Sequence, residues 1–245
     1  MKVLELFSGT GSIGKVAKKL DWDVLSLDLE LEADIKIDLM DWKYKEYDKD
    51  SFDIIWASPP CTFYSCLQNC WIGRKKKDGI LITKDLIEEK RKESDKLIQR
   101  TLDIIKYFNP HWWFMENPAT GQLKDRDVVK GLPFYDVSYC MYSQWGYEKK
   151  TRIWTNRKDW NNLICDKSGS CGNMIIIQNR HLHKNNLGRT SQNQLVRKHK
   201  LKVSDVHSKE TKKHQKDVSK DFGGGTNRLD RYRIPPDLIY SLFTE

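Results

Sequence analysis

A chain of 245 residues and 28.9 kDa has room for one α/β domain of ordinary size with a small appendage, and not for two full enzyme domains. No apolar run approaches the ~20 residues of a membrane span, and the first residues lack the features of a signal peptide. Six cysteines are too few for a disulfide scaffold in a chain of this length. We therefore expect a cytoplasmic protein with no membrane partner.

The excess of positive charge is unevenly spread along the chain. The sequence holds 43 basic and 34 acidic residues, which gives a net charge of +9. Residues 1–144 hold 22 basic and 24 acidic residues, whereas residues 145–233 hold 21 basic and 8 acidic. This local surplus favours a binding surface for a polyanion, although lysine-rich loops that only maintain solubility would look similar.

The first 160 residues alternate short apolar runs with amphipathic stretches, which is typical of βα units around a largely parallel sheet. Two helices are predicted here, a short one at 12–20 and a long one at 84–108. The predicted strands, in chain order, cover 3–7, 23–27, 52–57, 111–115, 137–142 and 152–155.

Beyond Trp160 the chain becomes polar and basic, with a single compact apolar run at 174–177. Three consecutive glycines at 223–225 then predict a flexible joint, and a final helix is predicted over 237–243 after two prolines. The predicted organisation is a catalytic domain at 1–160, a small basic recognition region at 161–222, and a joint with a returning helix at 223–245.

The first candidate site is a glycine-rich turn after the first strand. Gly9 and Gly11 allow the backbone to approach a ligand, and the helix that follows directs its positive end toward it. Asp28, at the end of the second strand, stands where nucleotide-type cofactors place an acid on the ribose hydroxyls. Because Gly14 completes a Gly-x-Gly-x-x-Gly pattern, nicotinamide binding stays an alternative.

The second candidate site is the segment Ser58-Pro59-Pro60-Cys61, directly after an apolar strand. The two prolines stiffen a loop at the carboxyl edge of the sheet, where open α/β folds build their sites. This setting favours a reactive Cys61 over a small buried apolar one.

The third candidate is the pair Glu116-Asn117, which ends an aromatic strand. A carboxyl group at this position is either an acid that takes part in proton transfer or an ordinary helix-capping residue. If the strand that precedes Cys61 and the strand that ends at Glu116 are neighbours, Glu116 faces Cys61 across one pocket.

These three motifs, in this order, resemble the cytosine-C5 DNA methyltransferase family. The resemblance rests on residues 6–11, on Pro60-Cys61-Thr62-Phe63-Tyr64-Ser65 and on Glu116-Asn117, with weaker support from Lys150-Thr151-Arg152. It covers about residues 1–156 and the last helix. It implies a Rossmann-like S-adenosylmethionine-dependent methyltransferase sheet that acts on cytosine in double-stranded DNA.

The resemblance also implies roles for individual residues. Cys61 would add to C6 of a flipped-out cytosine, Glu116 would bond to N3 and the amino edge, and Arg152 would contact the base or orient the glutamate. The S-adenosylmethionine site would contain Phe7, Gly9, Gly11, Asp28, Asp38 and Pro60.

Several departures from the family pattern indicate a divergent branch of viral or phage type. Glu5 occupies a position where the family usually has aspartate. Thr62 replaces a common glutamine, and Lys150 replaces an arginine. The Gln-x-x-Gly-Asn element near the C-terminus is absent. A restriction-modification role is the usual setting for such an enzyme, and the sequence does not identify a restriction partner.

The basic region has its own candidate residues. Lys150, Arg180, Arg189 and Arg197 are predicted to contact nucleic acid, since arginines reach both phosphates and base edges. Cys165, Cys171, His181 and His183 are weak candidates for a zinc site, because their spacing is unlike that of common zinc motifs, and we expect no metal. Cys66, Cys70 and Cys140 are predicted to be structural.

Two alternative functions remain open. Ser58-Pro59-Pro60 also fits the loop of methyltransferases that modify an exocyclic amine, N4 of cytosine or N6 of adenine, although Cys61 argues against it. A catalytically silent nucleic-acid-binding protein of the same fold would suit the charge distribution and would leave Cys61 and Glu116 unexplained.

Overall fold

The computed structural model describes residues 1–76, 78–177, 180–183 and 232–244. Seven strands form one mixed sheet in the order β3-β2-β1-β4-β5-β7-β6. Their bounds are β1 Lys2–Leu6, β2 Asp23–Asp28, β3 Ile35–Lys36, β4 Ile54–Ala57, β5 Trp112–Pro118, β6 Phe134–Ser138 and β7 Lys150–Thr155. The helices are α1 Ser12–Lys19, α2 Lys84–Phe108 and α3 Pro236–Thr244.

The apolar character of β1 and β4 explains why these strands occupy the middle of the sheet. β1 pairs in parallel with β2 on one side and β4 on the other, and β4 pairs in parallel with β5. All four residues of β4 are buried, as expected for a strand that is covered on both faces. β5 pairs antiparallel with β7, unlike the three parallel pairs just named. The predicted, largely parallel α/β fold is therefore confirmed.

Helix α2 has the bounds that the sequence predicts. It begins after Thr83, whose hydroxyl accepts a hydrogen bond from the Leu86 amide at 3.1 Å, and it ends at Asn109 in a left-handed conformation. One face of the helix, which includes Ile98, Ile104 and Phe108, packs into a core with sheet residues such as Leu4, Leu6, Leu27, Ile55 and Met115. α2 thus covers one face of the sheet.

The prediction of a strand at 137–142 is wrong. β6 ends at Ser138, and Tyr139–Met141 forms a short 3-10 helix in which the Tyr142 amide bonds back to the Tyr139 carbonyl at 3.0 Å. The apolar residues there are buried in a turn, and an apolar run alone does not distinguish this from a strand. The sequence also predicts that the last two strands of this region form a pair, and this is correct, since β6 and β7 are adjacent in the sheet.

The chain divides into two compact units. The first comprises residues 1–136 and 151–160, and the second comprises residues 137–150 and 161–245. The described part of the second unit includes a two-stranded antiparallel hairpin, β8 Met174–Ile177 and β9 Arg180–His183, and α3. The predicted glycine joint lies outside the described residues. Among the residues that are described, no helix has the length and apolar character needed to cross a membrane.

Glu5 is a buried carboxyl group at the point where α1 begins. Its two oxygens accept hydrogen bonds from the backbone amides of Ile13 at 3.1 Å and Gly14 at 2.9 Å. Burial nevertheless dominates and raises the pKa of Glu5 from its usual 4.5 to about 7. Glu5 therefore connects the central strand to the helix that follows the glycine turn.

Replacing Glu5 with glutamine is expected to remove a pH dependence of stability. The folded protein holds a proton on Glu5 that the unfolded chain releases near pH 4.5, so its stability falls as the pH rises from 4.5 to about 7. The fall attributable to Glu5 is about 3 kcal/mol, at about 1.4 kcal/mol for each unit of pKa difference. Urea unfolding of wild type and Glu5→Gln at pH 4.5 and pH 8 measures it, and parallel profiles would contradict this assignment.

Candidate active site

Four residues from four strands form a row at the carboxyl end of the sheet. The register aligns Leu6 with Leu27 and Ala57, and Ala57 with Met115. The next residue along each segment continues this row. Asp28 and Glu116 still lie within their strands, whereas Phe7 and Ser58 come directly after theirs, so the alternation of side chains along a strand applies only to Asp28 and Glu116. The row consists of Phe7, Asp28, Ser58 and Glu116.

The glycine turn at the end of β1 has three residues in the left-handed region. Phe7, Gly9 and Gly11 have φ angles of +57°, +55° and +65°. A positive φ is natural for glycine but strained for an aromatic residue, typically by about 1–2 kcal/mol. Such strain concentrates at ligand-binding turns.

Asp28 holds this turn in place. One of its carboxylate oxygens accepts a hydrogen bond from the Gly9 amide at 2.9 Å, and the other accepts from the amides of Glu30 and Leu31 at 2.9 Å each. These bonds fix the glycine turn to the end of the neighbouring strand. The sequence predicted the position of Asp28 but not its role in organising the loop.

Asp38 lies two residues beyond β3 and is half-buried. Its carboxylate accepts a hydrogen bond from the Met40 amide at 2.9 Å, and its carbonyl accepts from Trp42 at 3.1 Å. These are the bonds of an acid that shapes a turn, and its predicted contact with a cofactor stays a prediction.

The loop after β4 presents Cys61 beside the end of β5. The Ser58 amide still bonds to the Leu6 carbonyl at 3.2 Å, after which two prolines supply no amide hydrogen. The buried Asn117 side chain donates from Nδ2 to the Pro59 carbonyl at 2.9 Å, and the Tyr64 amide bonds to the Cys61 carbonyl at 3.1 Å. Cys61 is half-buried and Pro60 is exposed.

Asn117 is a positioning residue whose contact the sequence did not reveal. It follows Glu116, so the same strand end that carries the acid also holds the loop that carries the cysteine. Glu116 is 7% exposed and belongs to the row described above. The strand before Cys61 and the strand that contains Glu116 are neighbours, and the predicted pocket between these two residues stays a prediction.

Several buried polar atoms near this edge have no hydrogen-bond partner within the described residues. They are the hydroxyl of Ser8 in the glycine turn, the carbonyl oxygen of the Asn117 side chain, and the hydroxyl of Thr151 at the start of β7. Most buried polar groups in proteins are paired, so unpaired ones that cluster at a strand edge indicate a place for ligand atoms.

The structure does not place the Arg152 side chain beside Glu116. In the register of β5 and β7, Arg152 is opposite Asn117 and Ile153 is opposite Glu116. Because side chains alternate along a strand, Arg152 and Glu116 point to opposite faces of the sheet. Arg152 instead forms a two-pronged ion pair with Asp136, at 2.8 Å for each contact, and lies over the ring of Phe134 at 3.6 Å.

Replacing Arg152 with alanine is expected to destabilise the fold by about 1–2 kcal/mol, since the ion pair is partly exposed and thus weakened by solvent. Asp136→Asn breaks the same pair and leaves the arginine in place, so it is the matched control. Thermal unfolding should show similar losses for both. A fall in catalytic rate of Arg152→Ala alone would instead indicate a contact with the substrate.

A second group of reactive side chains lies in the second unit. The ligand atoms of Cys140, Cys165, Cys171 and His183 all lie within 4.8 Å of one another. Burial raises the pKa of the Cys140 and Cys165 thiols and lowers the pKa of His183. The sequence named Cys165, Cys171 and His183 as candidates but included His181 rather than Cys140. His181 Nδ1 instead lies 3.0 Å from the Lys167 carbonyl oxygen.

The predicted nucleic-acid contacts are described only in part. Lys150 is exposed and pairs with Glu148 at 3.8 Å. Arg180 is the first residue of β9, and its side chain is not among the parts of the chain that the structure describes. Arg189 and Arg197 lie outside the described residues.

No family model matches the chain. Three solved structures of methyltransferases are similar to the chain at low identity. The chain is similar to the methyltransferase EhMeth of Entamoeba histolytica, with a TM-score of 0.47 and 11% identity over 99% of this chain and 96% of that one. It is also similar to a prophage-encoded DNA modification methyltransferase of E. coli, with a TM-score of 0.41 and 15% identity over 63% of this chain and 46% of that one. A variant of DNMT2 from Spodoptera frugiperda gives a TM-score of 0.39 and 18% identity, over 66% and 54% of the two chains.

A curated relative extends the comparison to nearly the whole length. The chain is 32% identical to a protein of Frog virus 3 (isolate Goorha) named as a probable DNA (cytosine-5)-methyltransferase, over 99% of this chain and 98% of the relative. The chain is therefore a methyltransferase. The chain belongs to the DNA (cytosine-5)-methyltransferase family.

Proposed function

We propose that the protein transfers a methyl group from S-adenosylmethionine to C5 of cytosine in double-stranded DNA. The proposal rests on the hydrogen bond from Asn117 to Pro59, which joins the loop that carries Cys61 to the strand end that carries Glu116, in a chain of this family. DNA as the substrate implies an intracellular site of action, in the cytoplasm of a bacterium or of an infected host cell.

The glycine turn fits S-adenosylmethionine. Its backbone leaves space at Gly11, where a Cβ atom would have no neighbour within 4 Å, and Ser8 supplies a buried hydroxyl without a partner. Asp28 keeps acceptor capacity for ribose hydroxyls, since each carboxylate oxygen has two lone pairs. Phe7, Gly9 and Asp38 complete the proposed site, with Pro60 between it and the cytosine. When bound, the cofactor supplies an electrophilic methyl group.

Cys61 provides the nucleophile. Its thiolate would form a bond to C6 of the cytosine, and the electron pair displaced toward C5 would form the new bond to the methyl group, whose bond to the cofactor sulfur would break to leave a neutral thioether. Loss of the C5 proton to a base then returns electrons to the ring and breaks the S–C6 bond. Bond formation and bond cleavage at sulfur therefore balance, and Cys61 is regenerated.

Glu116 would make the cytosine ring accept the thiolate. A hydrogen bond or proton from its carboxyl group to N3 withdraws charge from the ring, and its second oxygen accepts from the amino group. Its low exposure keeps competing water away from these contacts. Arg152 points to the face opposite Glu116 and pairs with Asp136, so its proposed contact to the base rests on the family resemblance alone, and the comparison with Asp136→Asn above tests it.

The target cytosine must leave the duplex to reach Cys61, at a cost of a few kcal/mol that protein contacts must offset. The proposed phosphate and base contacts are Lys150, Arg180, Arg189 and Arg197.

DNA affinity is expected to fall steeply with salt. Replacing both Arg189 and Arg197 with glutamine should reduce the slope of log affinity against log salt by about 2, if each meets one phosphate. Fluorescence anisotropy at several salt concentrations measures this slope, and an unchanged slope would remove these two arginines from the interface.

The test of the proposed function identifies the product. The protein is incubated with duplex DNA and S-adenosylmethionine with a labelled methyl group, and the digested nucleosides are separated. We expect label in 5-methylcytosine. Label in N4-methylcytosine or N6-methyladenine would transfer the assignment to methylation of an exocyclic amine. DNA binding with no transfer to DNA or RNA would identify a catalytically silent binding protein.

A further inference from the structure

Three buried cysteines and a histidine converge in the second unit, and the proposed reaction uses none of the four. Cys140 lies in the 3-10 helix after β6, Cys165 and Cys171 lie in the loop before β8, and His183 is in β9. Three separate segments of chain thus bring their ligand atoms to one point.

The spacing of these atoms is that of a tetrahedral metal site. His183 Nε2 lies 3.7 Å from the Cys165 sulfur and 3.8 Å from the Cys171 sulfur. Zinc binds sulfur at about 2.3 Å and imidazole nitrogen at about 2.0 Å, so tetrahedral ligands would have sulfur and nitrogen about 3.6 Å apart. The observed distances match that value closely.

The surroundings of the four side chains are also those of a ligand shell. The second ring nitrogen of His183, Nδ1, lies 4.0 Å from a carboxylate oxygen of Glu148, which is longer than a hydrogen bond but close enough for an electrostatic contact. The Lys167 amide donates a hydrogen bond to the Cys165 sulfur. Met141 and Met174 pack against the cysteines and shield them.

A buried asparagine holds two of the ligand segments together. Asn173 Nδ2 lies within hydrogen-bond distance of the carbonyls of Cys140 at 2.8 Å, Cys171 at 3.0 Å and Ser143 at 2.8 Å, which share its two hydrogens, and its carbonyl oxygen accepts from the Gly146 amide at 2.9 Å. The backbone that carries the ligands is therefore prearranged by hydrogen bonds.

We propose that Cys140, Cys165, Cys171 and His183 bind one zinc ion as a closed, structural Cys3His site. Three sulfurs and one nitrogen are the soft ligand set that zinc prefers, and four protein ligands leave no position for a reacting water. Four ligand atoms within 4.8 Å suit a single ion rather than a polynuclear cluster. Zinc binding would release the thiol protons and couple metal affinity to folding of this unit.

Metal analysis of the full-length chain tests the proposal. The protein is produced in zinc-supplemented medium without a histidine tag, and zinc is measured by mass spectrometry after removal of free metal. We expect one zinc per chain, and less than about a tenth of that in Cys165→Ser and Cys171→Ser. Matched controls are Cys70→Ser, an exposed cysteine of the first unit, and His181→Asn, which both should keep the zinc.

Two further measurements cover variants that fail to fold. His183→Cys should retain one zinc, because it converts the site to four cysteines, whereas His183→Ala should lose it. Wild type in which Co²⁺ replaces zinc should show the visible absorption of tetrahedral cobalt with thiolate ligands. A wild-type chain that holds no zinc and gives no such cobalt spectrum would overturn the proposal, as would loss of zinc in His181→Asn together with its retention in His183→Ala.

Discussion

Replacing Cys61 with alanine is expected to lower the rate of DNA methylation by at least about 10⁴-fold, as removal of an enzymatic nucleophile commonly does. Without the sulfur no adduct forms at C6, and C5 has no electron pair to offer to the methyl group. Single-turnover transfer of a labelled methyl group to duplex DNA measures the effect, and DNA affinity in the same variant should be close to that of wild type.

The control for Cys61→Ala is Cys70→Ala, which removes an exposed thiol from the segment that follows the same loop. It should methylate at the wild-type rate. DNA containing 5-fluorocytosine adds a direct readout, because fluorine at C5 cannot leave as a cation and the S–C6 bond should persist. A covalent complex that survives denaturation is expected with wild type, and its formation by Cys61→Ala would contradict the assignment of the nucleophile.

Replacing Glu116 with glutamine is expected to lower kcat by about 10²–10⁴-fold and to change KM little. Glutamine keeps the size and can still make hydrogen bonds to the cytosine edge, but it cannot supply a proton to N3. The loss should therefore appear in the chemical step and not in cofactor affinity, which isothermal titration measures separately.

Glu46→Gln, an exposed surface change, is the matched control and should leave kcat unchanged. Glu116→Ala should be at least as slow as Glu116→Gln, because it removes the hydrogen bonds as well as the proton. If Glu116→Gln kept the wild-type kcat, Glu116 would position the loop or the strand end and would not take part in chemistry.

The elements with strong local signals were predictable from sequence. The bounds of α2 agree because Thr83 caps its first turn and the apolar spacing holds to Phe108. The row at the carboxyl end of the sheet was also predictable, since Asp28 and Glu116 each come at the end of an apolar strand. The hydrogen bond from Asn117 to Pro59 was not, because it joins residues 58 positions apart.

Long-range geometry accounts for the two main differences. The stretch 137–142 is apolar enough for a strand, yet Cys140 turns inward toward ligands that lie 25 and 31 residues further along. His181 and His183 lie on the same side of β9, so the alternation of side chains along a strand does not predict which of them lies near the cysteines. They are about 7 Å apart along the strand, and only His183 is close enough to the cysteines.

The two prolines before Cys61 have a consequence for every substitution in this site. Neither has an amide hydrogen to offer a neighbouring strand, so the backbone ladder must stop at Ser58 whatever side chains surround it. The end of the backbone ladder is thus set by covalent structure. Variants at Cys61 and Glu116 should leave it unchanged, and losses of activity in them should measure altered reactivity and not a displaced strand end.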